Sequence, residues 1–181
     1  MATLLSSRPA AWTTPFYLTL DHEPEQGTSA GDPDPATYRS EWQALINALA
    51  GHPRRSEVRQ TPIFTEYYAK RHSATFWNDF GIVASYAEVD AIGFDTYDTG
   101  DSTYRTPTER NAVPLQYARR AEVKKRLILG EWGVDRKTHD TDGSQAAQAM
   151  RDNLAYMRQQ PDVPYVSSWY QDKRLSRRSA T

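Results

Sequence analysis

The sequence predicts an α/β fold organised around a parallel sheet. Two observations carry this reading. Short apolar or β-rich runs recur along the 181 residues, with helical patterns between them. Most of these runs are continuously apolar rather than alternating, as strands covered on both faces should be. Strand–helix alternation of this kind implies right-handed crossovers between parallel strands.

The elements follow in order. Phe16–Leu20 is the first strand-like run. The helix after it is the clearest: Asp34 suits the cap and Pro35 the first helical position, Tyr38, Trp42, Leu45 and Leu49 follow at helical spacing, and Gly51 ends it. Pro62–Tyr67 is the next strand, followed by a short helix within Phe76–Tyr86. Val89–Tyr97 is the third strand, and a helix over Ala112–Lys125 must accommodate Pro114. Arg126–Gly130 is the fourth strand. Ser144–Gln160 is the last helix, with Ala146, Met150, Leu154 and Met157 on one side and Pro161 as a stop; Tyr165–Tyr170 is the fifth strand. No linker or repeat divides the chain.

Composition narrows the function classes. Hydrophobic residues at 38 % and charged residues at 25 % exclude a disordered chain and a coiled coil. No apolar run approaches the roughly 18–20 residues of a membrane span, so no membrane partner is expected. The net charge of −1 offers no basic field for nucleic acid. Lys173, Arg174, Arg177 and Arg178 read as a solvated basic tail. The absence of cysteine removes disulfides, thiol nucleophiles and thiolate metal sites. Met1–Thr14 has one arginine and a short apolar patch at Leu4-Leu5, which does not read as a signal peptide and leaves the compartment unassigned.

In parallel α/β folds the reactive residues lie just past the C-terminal ends of strands. Here those positions hold Asp21, His22, Glu23 and Glu25; then Glu66, Tyr67 and Tyr68; then Asp95, Tyr97 and Asp98; then Glu131, Trp132 and Asp135; and finally Trp169 and Tyr170. Carboxylates interleaved with aromatics suit a sugar, whose C–H faces stack on rings and whose acetal is cleaved by paired carboxyl groups.

Two of these clusters, His22-Glu23-Pro24 and Gly130-Glu131-Trp132-Gly133, together resemble the catalytic pair of clan A glycoside hydrolases. Within that clan the pair, with the segment Val89–Tyr97, is most similar to glycoside hydrolase family 26, the endo-β-mannanase-like family. The resemblance covers about Phe16 to Tyr170. It implies a (β/α)8 TIM barrel of which this chain supplies strands four to eight with their helices, the N-terminal βα units being missing. On that scheme residues 1–15 are an N-terminal extension, 16–171 the partial barrel and 172–181 the basic tail. The resemblance further implies retaining hydrolysis of β-glycosidic bonds in mannan, β-glucan or xylan. Glu23 is then the acid/base and Glu131 the nucleophile, with carboxyl groups about 5–5.5 Å apart. The implied parent enzyme is secreted, the partner is a polysaccharide or oligosaccharide, and no cofactor is required.

The other candidates have competing roles. Glu25 competes with Glu23 as acid; Glu23 adjoins His22 and the strand end, leaving Glu25 as a surface or subsite residue. His22 bonds a catalytic carboxylate or sugar, or is a satisfied strand-end histidine. Tyr97 hydrogen-bonds the nucleophile or packs at the rim, and Asp95 is the weaker candidate beside it. Trp169 is a sugar-stacking platform. Trp132 is subsite or core, and Tyr67 lines the cleft. Trp42 is core. Asp21, His22, Glu23 and Glu25 are not expected to bind metal, because neighbours on an extended segment point to opposite faces and no HExxH spacing is present. A partial barrel would expose strand edges, which predicts self-association. It also leaves a second reading open: an inactive remnant that at most binds carbohydrate or a partner weakly.

Overall fold

Asp34 accepts hydrogen bonds from the backbone N–H groups of Ala36 (2.9 Å) and Thr37 (3.1 Å), and Pro35 follows it, so helix α1 (Pro35–Ala50) starts where its sequence signals lie. These bonds hold the Asp34 carboxyl below its ordinary range. The computed structural model describes residues 15–26, 33–99, 103–160 and 165–167. The chain divides into two units, Met1–Ile92 and Gly93–Thr181.

In the first unit, strands β1 (Phe16–Leu18) and β2 (Val58–Gln60) pair in parallel, with Phe16 opposite Val58. Leu45 and Leu49 of α1 pack with Phe16, Leu18 and Val58 over this pair. Strand β3 (Ile63–Thr65) follows after Thr61-Pro62, and helix α2 (Glu66–Arg71) begins at once, capped by the Thr65 hydroxyl accepting from the Tyr68 N–H. Helix α3 (Phe76–Asp79) and a short 3₁₀ turn at Gly81–Ser85 close the unit. Its core is aromatic. Tyr38 meets Trp42, Phe64 and Phe80 at centroid distances of 5.7–6.4 Å, and Phe64 meets Phe76 edge-on at 5.1 Å. Gly81 is required here, because a Cβ would lie 2.9 Å from the Trp77 ring.

In the second unit, strands β4 (Ala91–Asp98), β5 (Arg126–Val134) and β6 (Tyr165–Ser167) are neighbours in that order, and β5 and β6 are parallel. Helices α4 (Pro107–Ala118) and α5 (Ser144–Arg158) pack on β5 and on each other. The buried amide of Asn111 on α4 meets that of Asn153 on α5 at 2.6 Å.

The first strand ends at Leu18 rather than Leu20, strand β2 was not expected, and three further elements are displaced or resized. The strand expected over Pro62–Tyr67 is shorter, covering only Ile63–Thr65. Proline at position 62 has no N–H for a ladder, so β2 and β3 flank it, while Glu66 and Tyr67 belong to α2. The helix expected over Ala112–Lys125 runs instead over Pro107–Ala118. Thr106 and Glu109 form a reciprocal capping box, which sets the start five residues earlier and leaves Pro114 in the helix interior. Strand β5 continues to Val134, four residues beyond the apolar run, so Glu131 lies within a strand rather than past its end. No helix among the described residues is long and apolar enough to cross a membrane.

Candidate functional site

In the first unit the candidate residues lie on a tight turn between β1 and the 3₁₀ turn Pro24–Gln26. Asp21 (φ 45°) and Glu23 (φ 57°) both adopt the left-handed conformation, which costs a non-glycine residue about 1–2 kcal/mol, less for Asp. Two anchors on β3 offset that cost. The Glu23 N–H donates to the Ile63 carbonyl at 3.1 Å. The Glu25 carboxylate accepts from the Thr65 N–H and, at 3.0 Å, from its hydroxyl. Glu25 is 4 % exposed, so it is a buried strut and not the surface or subsite residue expected.

His22 is exposed between the two left-handed residues, and the Gln26 amide donates to the Glu23 carboxylate. The turn is not extended. A His22 ring nitrogen and a Glu23 carboxylate oxygen lie within 4.8 Å of each other, which removes the ground on which their side chains were expected to diverge. Burial, followed by the negative fields of Glu25 and Asp21, pushes the Tyr38 phenol well above its usual range.

In the second unit the burial of the strands marks one place. Strand β4 is buried throughout except at half-buried Tyr97, and β5 is buried between Leu127 and Val134 except at half-buried Glu131. These two side chains bond each other. The Tyr97 hydroxyl donates to Glu131 Oε2 at 2.5 Å. Asp95, on the same face of β4 as Tyr97, accepts from the Glu131 backbone N–H. Trp132 is 5 % exposed, which resolves its two readings in favour of core over subsite.

Beyond the strand ends is a buried polar network that the sequence did not single out. Asp98 accepts from Lys137 Nζ (3.0 Å), Arg110 Nη2 (3.0 Å) and the Arg105 N–H (2.7 Å), and all three side chains of this Asp–Lys–Arg set are buried. Burial raises the Asp98 carboxyl, but Lys137, the Arg105 N–H and Arg110 outweigh it, and the group sits below its ordinary value. Lys137 Nζ also lies 5.3 Å from the Tyr104 ring centre, and the Tyr104 hydroxyl donates to Asp140 (2.7 Å), which accepts from the first N–H groups of α5. The network ties the loops after β4 and β5 together. Asp98 at a strand end was visible in sequence. Arg110 and Lys137 gave no sign, because a basic residue between polar or charged neighbours reads as surface.

Tyr67 lies on α2, 64 % exposed, with the Arg71 guanidinium 5.7 Å from its ring centre, and not at a strand end. Trp42 is fully buried in the core. Trp169, Tyr170 and the 172–181 tail lie outside the described residues.

No family model matches the chain, and no curated protein matches its sequence. Among solved structures it is similar to a GH128 (subgroup II) endo-β-1,3-glucanase from Sorangium cellulosum, with a TM-score of 0.57 and 15 % identity over 94 % of this chain and 64 % of that one. The chain therefore spans less than two thirds of that enzyme's length. Family 26 gains no support from these comparisons. The likeness establishes the fold alone: parallel strands and helices in an α/β arrangement similar to a glycoside hydrolase barrel.

Proposed function

We propose that the chain carries the catalytic carboxyl groups of a retaining β-glucan hydrolase, with Glu131 as nucleophile and Glu23 as acid/base. The observation that carries this reading is the Tyr97–Glu131 pair. It is the one place where β4 and β5 together open to solvent between Leu127 and Val134, and a phenol there orients a carboxylate. Glu131 attacks the anomeric carbon as the glycosidic bond breaks, and Glu23 gives its proton to the departing oxygen. Glu23, now a carboxylate, takes a proton from water, which attacks the same carbon and releases Glu131. His22 is exposed beside Glu23 and can bond the sugar. Asp95 is 3 % exposed, and it is given no sugar contact in this proposal.

The fold neighbour's named activity makes β-1,3-glucan the first substrate to try, ahead of mixed-linkage glucan, mannan and xylan. Released reducing ends are the assay. Glu131→Gln should lower kcat by about 10,000-fold or more, the scale of losing a nucleophile. Glu23→Gln should lower it by about 100- to 10,000-fold, the range of a general acid. Activity on β-1,3-glucan that survives either change would sink the assignment. Binding to glucan without cleavage by the unaltered chain would favour the non-catalytic reading instead.

A further inference from the structure

We infer that Asp95 is a positioning residue for Glu131, acting through the Glu131 backbone; this rests on Glu131 being the nucleophile. Asp95 and Tyr97 stand two residues apart on one face of β4 and reach Glu131 at its two ends. Tyr97 holds the carboxylate, and Asp95 holds the N–H of the same residue. Asp95 is 3 % exposed, so a glycan cannot reach its carboxyl group, whereas half-buried Tyr97 and Glu131 are accessible.

A carboxyl group is costly to bury, and nearly all buried ones are hydrogen-bonded for that reason. This one bonds the backbone of the residue whose side chain does the chemistry. A bond from carboxylate to N–H is among the stronger kinds, and here it fixes where the Glu131 Cα sits. Tyr97 then fixes how the side chain leaves that Cα. An attacking oxygen must reach about 3–3.5 Å from its carbon in line, and a displacement of about 1 Å can cost about 100-fold in rate. The pair of contacts meets that demand with one residue at each end of the glutamate.

The test uses Asp95→Ala and Asp95→Asn in the full chain, with two readouts. One is the Glu131 amide proton shift in isotope-labelled protein. The other is kcat and KM on β-1,3-glucan. Asp95→Ala should move the Glu131 amide proton upfield and lower kcat about 10- to 100-fold, with KM within about twofold. Asp95→Asn keeps an acceptor oxygen and should restore most of both. A rise in KM with kcat unchanged would make Asp95 a substrate contact and overturn the inference. So would an unmoved amide proton, or Asp95→Asn failing to fold. The amide shift needs no turnover. An inactive parent chain would overturn the glycosidase reading, and the amide shift would then decide the Asp95 contact separately.

Discussion

Glu23 and Glu131 belong to two short motifs of similar appearance, yet the chain holds them in opposite ways. Glu131 is an interior position of a nine-residue strand, buried on both flanks and bonded at both its backbone and its carboxylate. Glu23 sits on an irregular turn in a left-handed conformation, held from outside by β3. The difference suits the two roles proposed for them. A nucleophile must be fixed relative to one carbon. An acid that later becomes a base must serve a leaving oxygen and then a water. It also means that the two glutamates rest on different kinds of stability, one on strand burial and one on a few named contacts.

The largest effect expected from breaking this contrast is on the strand side. Asp98→Asn removes the charge that balances buried Arg110 and Lys137 and should destabilise the fold by about 3–5 kcal/mol. Denaturant unfolding measures it; a change below about 1 kcal/mol would show that the network is incidental. The pH dependence follows from the same group. Its folded value lies below the ordinary 3.8, so its contribution is complete above that value. It is lost as pH falls through the lowered folded value, and the unaltered protein should unfold in acid where Asp98→Asn shows a weaker slope.

What was legible in the sequence follows the same division. Helix α1 was readable because cap, proline and apolar spacing agree locally. Strand β4 was readable because it is buried along its length. Helix α4 was misplaced because its start is set by the Thr106–Glu109 capping box, which lies before the apolar spacing that marked Ala112–Lys125. Glu23, Glu131, Tyr97 and Asp95 stood out as candidates from strand ends and motif context. Their local states were not. Whether Glu25 is a surface residue or a buried strut depends on Thr65, forty positions away, and no local pattern encodes that pairing.

That strut supplies the next comparison. Glu25→Ala leaves the Thr65 N–H and hydroxyl without their acceptor, an effect of about 1–3 kcal/mol. Its signature should be local: hydrogen exchange at the Glu23 amide accelerates, while exchange at the Glu131 amide stays as it was. Equal acceleration at both would mean that the two glutamates share one stability and that the contrast between them is false.

The smallest effect separates backbone strain from side-chain chemistry in the turn. Asp21 is left-handed, and its carboxyl group is exposed. Asp21→Gly removes the Cβ that disfavours this conformation but adds chain entropy to the unfolded state, so the two terms oppose each other. Asp21→Ala keeps the Cβ and loses the local hydrogen bonding that lets Asp visit this region. The glycine variant should therefore be the more stable of the two by about 1 kcal/mol, measured by thermal unfolding. The reverse order would mean that the turn does not hold residue 21 left-handed in solution. An extended segment would then place His22 and Glu23 on opposite sides, and only one of them could face a substrate. The turn's strain is thus tied to whether His22 and Glu23 act together, a question that does not arise for the strand-borne Glu131.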